Sequence, residues 1–401
     1  MTKEQVLLLG LLSKALFKKP APAADEVDWN KLLMEARAQA VPILAYEALD
    51  KEAVPADVLS LWKQYSGAVL INNIRVTRNH AVLNEWMKEA GIPYVSLKGC
   101  ASAGFYPDPI CRSMGDVDFL VYDKDLERAG KILEEHGLLS RGGRHPAHIE
   151  YFNKRDIFEL HFGVAGIPEG KAGDVVRGYL EDTIAKAENK AIEYGSVEIP
   201  SVFHHGLVLL IHTCTHLTEK GIGIRHLCDW AVFVNSFTDE EFRAMYESKL
   251  KAAGLWKFAQ ALTQVSVRYL GADPKPFAEF ENSDPITKAL IEDIIAGGNF
   301  GMKDSDRVEQ VPLITERKRI GSNRGNVITQ FIASKSELIK LKWPACEKHP
   351  ILLPLGWIYF SFSSLIGIIT GRRKSIKVKR VLDGASVRRE IYKKLELYKI
   401  K

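Results

Sequence analysis

The sequence predicts an α+β protein in which a region of short strands lies between two helical regions. Short β-branched runs bounded by turn residues occur between residues 91 and 200, and helical spacing of apolar residues dominates on either side. The chain has 401 residues, enough for two or three domains. We therefore predict a helical N-terminal region at 1–90, an α/β core at 91–200 and a helical C-terminal region with a basic tail at 201–401.

Local patterns predict the elements of the central region in order. A long helix over about residues 56–90 leads into a short strand that ends near residue 97. Residues 123–137 have apolar side chains at helical spacing and end in a glycine, which predicts a helix. The runs at 149–152 and 157–162 flank a polar turn, which predicts an antiparallel pair of strands.

Two aspartates at the start of an apolar stretch are the main candidates for chemistry. Asp116 and Asp118 are separated by one residue, so on a strand their side chains project from the same face. Two carboxylates there repel each other unless a cation lies between them, and oxygen ligands at a strand end suit Mg²⁺ with a phosphate substrate. A turn in which both aspartates cap a chain reversal is the alternative.

Four residues near these aspartates are candidates for binding phosphate. Gly99, in a run of small residues that includes Ser102, would let backbone N–H groups approach a phosphate closely. Lys98 and Arg112 would supply positive charge to the same phosphate. The pattern thus predicts a phosphate site beside the aspartates.

Glu159 and His161 also share one face of a predicted strand. Glu159 would be a third metal-binding carboxylate, or else a solvated strand residue. His161 would contact an acceptor or a phosphate, or else donate a hydrogen bond to Glu159.

A group of histidines follows the strand region, within 26 residues, and it ends in an aspartate. Three interpretations stay open for it: a metal site, the wall of an acceptor pocket, and structural hydrogen bonding between two helices. The group consists of His204, His205, His212, His216, His226 and Asp229.

The order of these elements resembles the nucleotidyltransferase superfamily that includes DNA polymerase beta. More narrowly, the chain is similar to a bacterial group described as uncharacterised nucleotidyltransferases. The shared features are a Leu-Lys-Gly segment at 97–99, an arginine before the Asp-x-Asp motif (Arg112), and an acidic-x-His strand at Glu159 and His161. The match to the catalytic core covers residues 92–162.

This resemblance implies a small mixed nucleotidyltransferase-type sheet with flanking helices. It also implies an enzyme that moves a nucleoside monophosphate from a nucleoside triphosphate such as ATP to an acceptor hydroxyl, releasing pyrophosphate. One or two Mg²⁺ ions would be held by Asp116, Asp118 and Glu159, and the histidine helices would form a wall of the acceptor pocket. Two alternatives stay open: an inactive nucleotide-binding or scaffold protein on the same fold, and a nuclease or phosphohydrolase.

Positive charge is concentrated at the end of the chain. Residues 371–401 contain 12 Lys/Arg and 3 Asp/Glu, a net charge of +9, whereas the whole chain carries +5. The preceding segment, 351–370, is rich in Leu, Ile, Phe and Trp, but proline and glycine interrupt it, so a spanning helix is not expected. Both segments together predict contact with an anionic membrane surface or a polyanion such as RNA, or else a buried helix followed by a solvated one.

Cysteine usage indicates the compartment. The five cysteines are scattered and have no CxxC spacing, which is typical of a protein in the reducing cytoplasm. We expect a cytoplasmic protein that is either free or peripheral to the membrane.

Overall fold

The computed structural model describes residues 1–141, 147–304, 306, 307 and 310. Toward the C terminus it describes residues 336, 339, 340, 343, 345–359, 362 and 378–400.

Four helices form the N-terminal region: α1 (Lys3–Phe17), α2 (Trp29–Ala38), α3 (Pro42–Ala48) and α4 (Ala56–Glu89). Helix α1 begins with a capping box, in which Thr2 and Gln5 satisfy each other's backbone N–H groups. Helix α4 has the length and position that the sequence pattern predicts, and it leads directly into the first strand.

A mixed five-stranded sheet follows, as predicted, with the order β1-β2-β5-β4-β3. Strand β2 pairs with β5 in parallel, and the other neighbours pair antiparallel, including the predicted β4–β5 hairpin. Because β2 lies in the middle of the sheet beside β5, residues at the start of both strands come together. The strands are β1 (Tyr94–Ser96), β2 (Val117–Val121), β3 (Leu139–Ser140), β4 (His148–Phe152) and β5 (Ile157–His161).

The two faces of this sheet differ. One face buries Phe119, Phe158 and Leu160 against Leu83 of α4 and Leu133 of α6 (Leu126–Glu135). Each such side chain contributes about 1.5–3 kcal/mol when it is fully buried. Alternation along the strands turns the intervening residues to the opposite face, where the polar site lies.

The remaining elements complete the fold around the sheet. They are α5 (Cys100–Ala103), α7 (Lys171–Leu180), a separate hairpin of β6 (Glu188–Ile192) and β7 (Gly195–Ile199), α8 (Val202–Thr218), α9 (Ile224–Asn235), α10 (Asp239–Phe242), α11 (Ser248–Ala252), α12 (Trp256–Val265), α13 (Ser283–Gly297), α14 (Ala345–Lys348) and α15 (Val378–Leu395). Strands in the described part of the chain end before Pro200, as the sequence predicts.

The N-terminal and C-terminal helices share one large hydrophobic core. Leu8 and Trp62 from the first helices and Trp230, Leu262 and Leu395 from the last belong to the same buried cluster. The two boundaries between the three predicted regions stay a prediction, but the N-terminal and C-terminal helical regions pack together and not as separate bodies.

The basic tail is partly integrated into this core. Helix α15 buries Val381, Ile391 and Leu395, and the guanidinium of Arg388 donates to the backbone oxygens of Leu217 and Glu219. Residues 360, 361 and 363–377, which include much of the predicted apolar segment and the start of the tail, lie outside the described residues. None of the helices in the described part of the chain is both long and apolar enough to cross a bilayer.

Candidate active site

Three predicted carboxylates converge on the polar face of the sheet. Asp118 on β2 lies directly opposite Glu159 on β5 in the parallel register, and Asp116 precedes β2 on the same face. Asp116, Asp118 and Glu159 each place one oxygen within 4.8 Å of the others. The chain therefore brings together the three side chains that sequence patterns single out as metal ligands.

Two nitrogen-bearing side chains contact the central carboxylate. Lys98 Nζ lies 2.9 Å from Asp118 Oδ1. His161 Nε2 lies 3.2 Å from the same oxygen and 3.3 Å from Glu159 Oε2. His161 thus bridges two carboxylates, which agrees with its interpretation as a hydrogen-bonding partner of Glu159.

The pKa values of Asp116 and Asp118 reflect the repulsion between the clustered carboxylates. The charge of Asp118, together with burial, raises the pKa of Asp116 to about 6. Burial opposes ionisation of Asp118, but Lys98 and His161 outweigh it and hold the pKa of Asp118 well below its usual value. The clustered carboxylates repel each other, as expected of a site built to hold a further cation, and their oxygen-only donor set fits a hard divalent ion such as Mg²⁺.

The Lys98 ammonium also lies 3.4 Å from Nδ1 of His212 on α8. Burial lowers the pKa of Lys98, but Asp118 and Asp116 outweigh it, so the net shift is upward and Lys98 stays charged. Burial, followed by Lys98, lowers the pKa of His212 far below its usual value. A neutral imidazole therefore faces a permanent ammonium at the wall of the site.

The structure separates the two small residues that were predicted to bind phosphate. Gly99 lines the site and has φ +56°, and a Cβ there would lie 2.3 Å from His80 Nε2. Close packing against the buried His80 therefore requires glycine at position 99, whether or not a phosphate binds there. Ser102 is buried on α5 and is not among the described residues that line the cavity, so we no longer interpret it as a phosphate ligand.

Arg112 is already neutralised by another predicted site residue. Its guanidinium donates two hydrogen bonds to Asp229 on α9, at 2.7 and 2.8 Å, and the Tyr106 hydroxyl donates a third at 2.7 Å. Arg112 and Asp229 are both buried. This bidentate pair fastens the segment before β2 to α9, which positions the site. Both residues also line the cavity described below, so their phosphate and acceptor contacts stay predictions.

Three of the histidines form one cluster with an aromatic ring. The rings of His212 and His216 lie 4.2 Å apart, and His226 lies within 6 Å of both, with Phe300 packed against His216 and His226. Burial lowers the pKa of His216 to about 3 and that of His226 well below 6.5. These neutral rings line the cavity described below, and no three of them converge as metal ligands among the described residues.

The other two histidines lie away from the site. His204 interacts with Ser201 and Asp182, and His205 is buried between the rings of Phe105 and Phe233. Their roles are structural.

A cavity of 2440 Å³ opens on the polar face of the sheet. The carboxylates and the histidine cluster line one part of it, and α7 and α15 line another part with residues such as Arg177 and Lys393. Pockets for one drug-sized ligand measure about 300–1,000 Å³. The volume therefore has room for two substrates side by side.

Sequence patterns missed two residues of this site. Arg225 lines the cavity, and among the described residues no carboxylate lies within ion-pair distance of it. Among the described residues its guanidinium donates to the backbone oxygen of Ser113, at 3.2 Å, and it lies over the ring of Phe300. His148 lies directly opposite His161 in the β4–β5 hairpin. The hairpin register could have revealed His148, whereas Arg225 had no local signal.

Comparison with known families agrees with this geometry. The model of a family described as uncharacterised nucleotidyltransferase matches residues 25–271, which is more than half of the chain and contains all three carboxylates. Searches of curated proteins and of solved structures gave no significant match. The chain therefore belongs to the uncharacterised nucleotidyltransferase family and is an enzyme of the nucleotidyltransferase class.

Proposed function

We propose that this enzyme transfers a nucleoside monophosphate from a nucleoside triphosphate, such as ATP, to an acceptor hydroxyl in the presence of Mg²⁺. Pyrophosphate is the second product. The observation that carries the proposal is the convergence of Asp116, Asp118 and Glu159 within 4.8 Å on the wall of a cavity that has room for both substrates.

The three carboxylates would hold one or two Mg²⁺ ions. Bound Mg²⁺ would neutralise the triphosphate and lower the pKa of the acceptor hydroxyl. The chain itself contributes position and charge: Lys98 and His161 hold Asp118 in place, and the parallel register of β2 and β5 fixes Asp118 opposite Glu159.

The triphosphate would be held by Lys98 and Arg225. Arg112 already donates two of its N–H groups to Asp229, which neutralises its charge and makes it a weaker candidate for a phosphate ligand than Arg225. Arg225 has no such partner among the described residues and lies near enough to Asp116 for their charges to interact. A guanidinium that lines a cavity with free donor groups is suited to bidentate contact with phosphate oxygens.

The acceptor would enter from the side formed by α7 and α15. Arg177 and Lys393 lie there beside Glu181 and Glu390, and the neutral cluster of His212, His216 and His226 also lines the cavity. Because charges of both signs line this side, the hydroxyl group of the acceptor, and not its charge, is the feature that we propose.

Peripheral attachment to an anionic membrane is a further part of the proposal. Ile351, Leu355, Ile358, Tyr359 and Phe362 are each more than half exposed, and 12 basic residues follow between 371 and 401. An exposed apolar segment that is followed in the sequence by positive charge suits the boundary between lipid head groups and acyl chains. The five cysteines are free and buried, which supports our proposal of a cytoplasmic location.

Incubation with each α-labelled nucleoside triphosphate, Mg²⁺ and a cell extract as the source of acceptor tests the function. Wild type should move label into a product, and Asp116→Asn should not. The control is Asp123→Asn, since Asp123 is exposed and also lines the cavity. If Asp116→Asn labels the product as wild type does, the proposal is wrong; nucleotide binding without transfer by wild type would point to the inactive binding protein.

A further inference from the structure

A second group of side chains lies beside the three carboxylates. His148 and His161 are directly opposite each other on β4 and β5, and Glu159 precedes His161 by two residues on the same face. One donor atom from each of the three lies within 4.8 Å of the others. The group combines two imidazoles with one carboxylate, and it shares Glu159 with the site of Asp116 and Asp118.

The spacing of the donor atoms suits a tetrahedral ion. Glu159 Oε2 lies 3.3 Å from His161 Nε2 and 3.7 Å from His148 Nδ1. With bonds of about 2.0–2.2 Å to zinc, two ligands at a tetrahedral angle lie about 3.3–3.6 Å apart. A small adjustment of His148 would be required, and His161 Nε2 would exchange its hydrogen bond to Asp118 for a bond to the ion.

The chemistry of the donors separates this group from the carboxylate site. Imidazole ligands suit Zn²⁺, Fe²⁺ and related transition metals, whereas Mg²⁺ prefers oxygen alone. His148, Glu159 and His161 all line the cavity, so a fourth position would face its interior. Three protein ligands with one open position are typical of catalytic zinc sites and not of closed structural ones.

We propose that His148, Glu159 and His161 form a binding site for a transition-metal ion such as Zn²⁺. The site lies beside the proposed Mg²⁺ site and shares Glu159 with it. The ligands are sufficient for binding without nucleotide or transfer. An ion at this position would place a second positive charge next to the proposed acceptor. This effect on the acceptor rests on the proposed function, whereas binding of the ion does not.

Titration of the chelator-treated, full-length protein with Co²⁺, followed by visible absorption, tests the site. Wild type should bind Co²⁺ with the intense absorption of a four- or five-coordinate ion, and added Zn²⁺ should displace it. His148→Gln should weaken binding by at least ~100-fold, since it removes a ligand and not merely an outer partner. Asp116→Asn should bind within a few-fold of wild type, and His349→Gln, which changes an exposed histidine, should bind as wild type does.

Three outcomes would overturn the proposal. These are no Co²⁺ binding by wild type, the weak absorption of a six-coordinate ion, and binding by a normally folded His148→Gln protein with wild-type affinity. Circular dichroism of His148→Gln establishes whether it is folded, and if it is not, His148→Asn takes its place. Transfer is assayed separately with Mg²⁺ alone, so failure of the transfer activity leaves the Co²⁺ result unaffected.

Discussion

Replacing Arg112 with methionine would break the buried pair that joins the segment before β2 to α9. Methionine keeps much of the side-chain length but removes the guanidinium, so Asp229 would retain only the hydrogen bond from Tyr106. Each lost charge-assisted hydrogen bond is worth about 1.5–3 kcal/mol. Breaking a buried pair from one side costs about 3–5 kcal/mol in total, because the remaining charge stays buried without its partner.

Urea unfolding at neutral pH, followed by tryptophan fluorescence, measures this cost. We expect Arg112→Met to lower the free energy of unfolding by about 3–5 kcal/mol. The double variant Arg112→Met/Asp229→Leu should cost about 2–3 kcal/mol less than the sum of the two single variants, because neither charge is then left alone. The control is Lys131→Met, which breaks an exposed pair with Glu127 and should cost less than about 1 kcal/mol.

The reasoning is refuted if Arg112→Met unfolds within about 1 kcal/mol of wild type, the range of an exposed pair. It is also refuted if the costs of the two single variants add fully, because the side chains would then not act as a pair. A loss of transfer with unchanged stability would restore the interpretation of Arg112 as a phosphate ligand.

Four further outcomes are expected. Asp116 has a folded pKa of about 6, above its usual 3.8, so stability is lost as pH rises from about 4 to about 6. Asp116→Asn should therefore stabilise the metal-free protein by about 2–3 kcal/mol at pH 8 and have little effect below pH 4, as measured by urea unfolding. Arg225→Gln should raise KM for the nucleoside triphosphate by about 10–100-fold, with Arg225→Lys intermediate, in steady-state assays. His216 has a folded pKa of about 3, below its usual 6.5, so the stability that its neutral form contributes is lost as pH falls below 6.5, at up to about 1.4 kcal/mol per pH unit. In urea unfolding, the free energy of unfolding of His216→Gln should therefore fall less steeply with decreasing pH than that of wild type. Ile358→Glu should reduce sedimentation with anionic vesicles, whereas unchanged sedimentation would remove Ile358 from the proposed membrane contact.

The sequence by itself determined the sheet and its carboxylates. The two-residue period of a strand places Asp116 and Asp118 on one face, and it does the same for Glu159 and His161. The predicted hairpin and the long helix before the sheet appear at the predicted positions. These features depend on neighbours within a few residues, and a local pattern is enough to find them.

Only the tertiary structure decided how the charges are paired. Arg112 and Asp229 are 117 residues apart, and their contact depends on α9 packing beside the segment before β2. The same packing leaves Arg225, four residues before Asp229, without a carboxylate partner among the described residues and directs it to the cavity. A buried charge is stabilised by the opposite charge that the folded chain places next to it, and for Arg112 that neighbour comes from a distant segment.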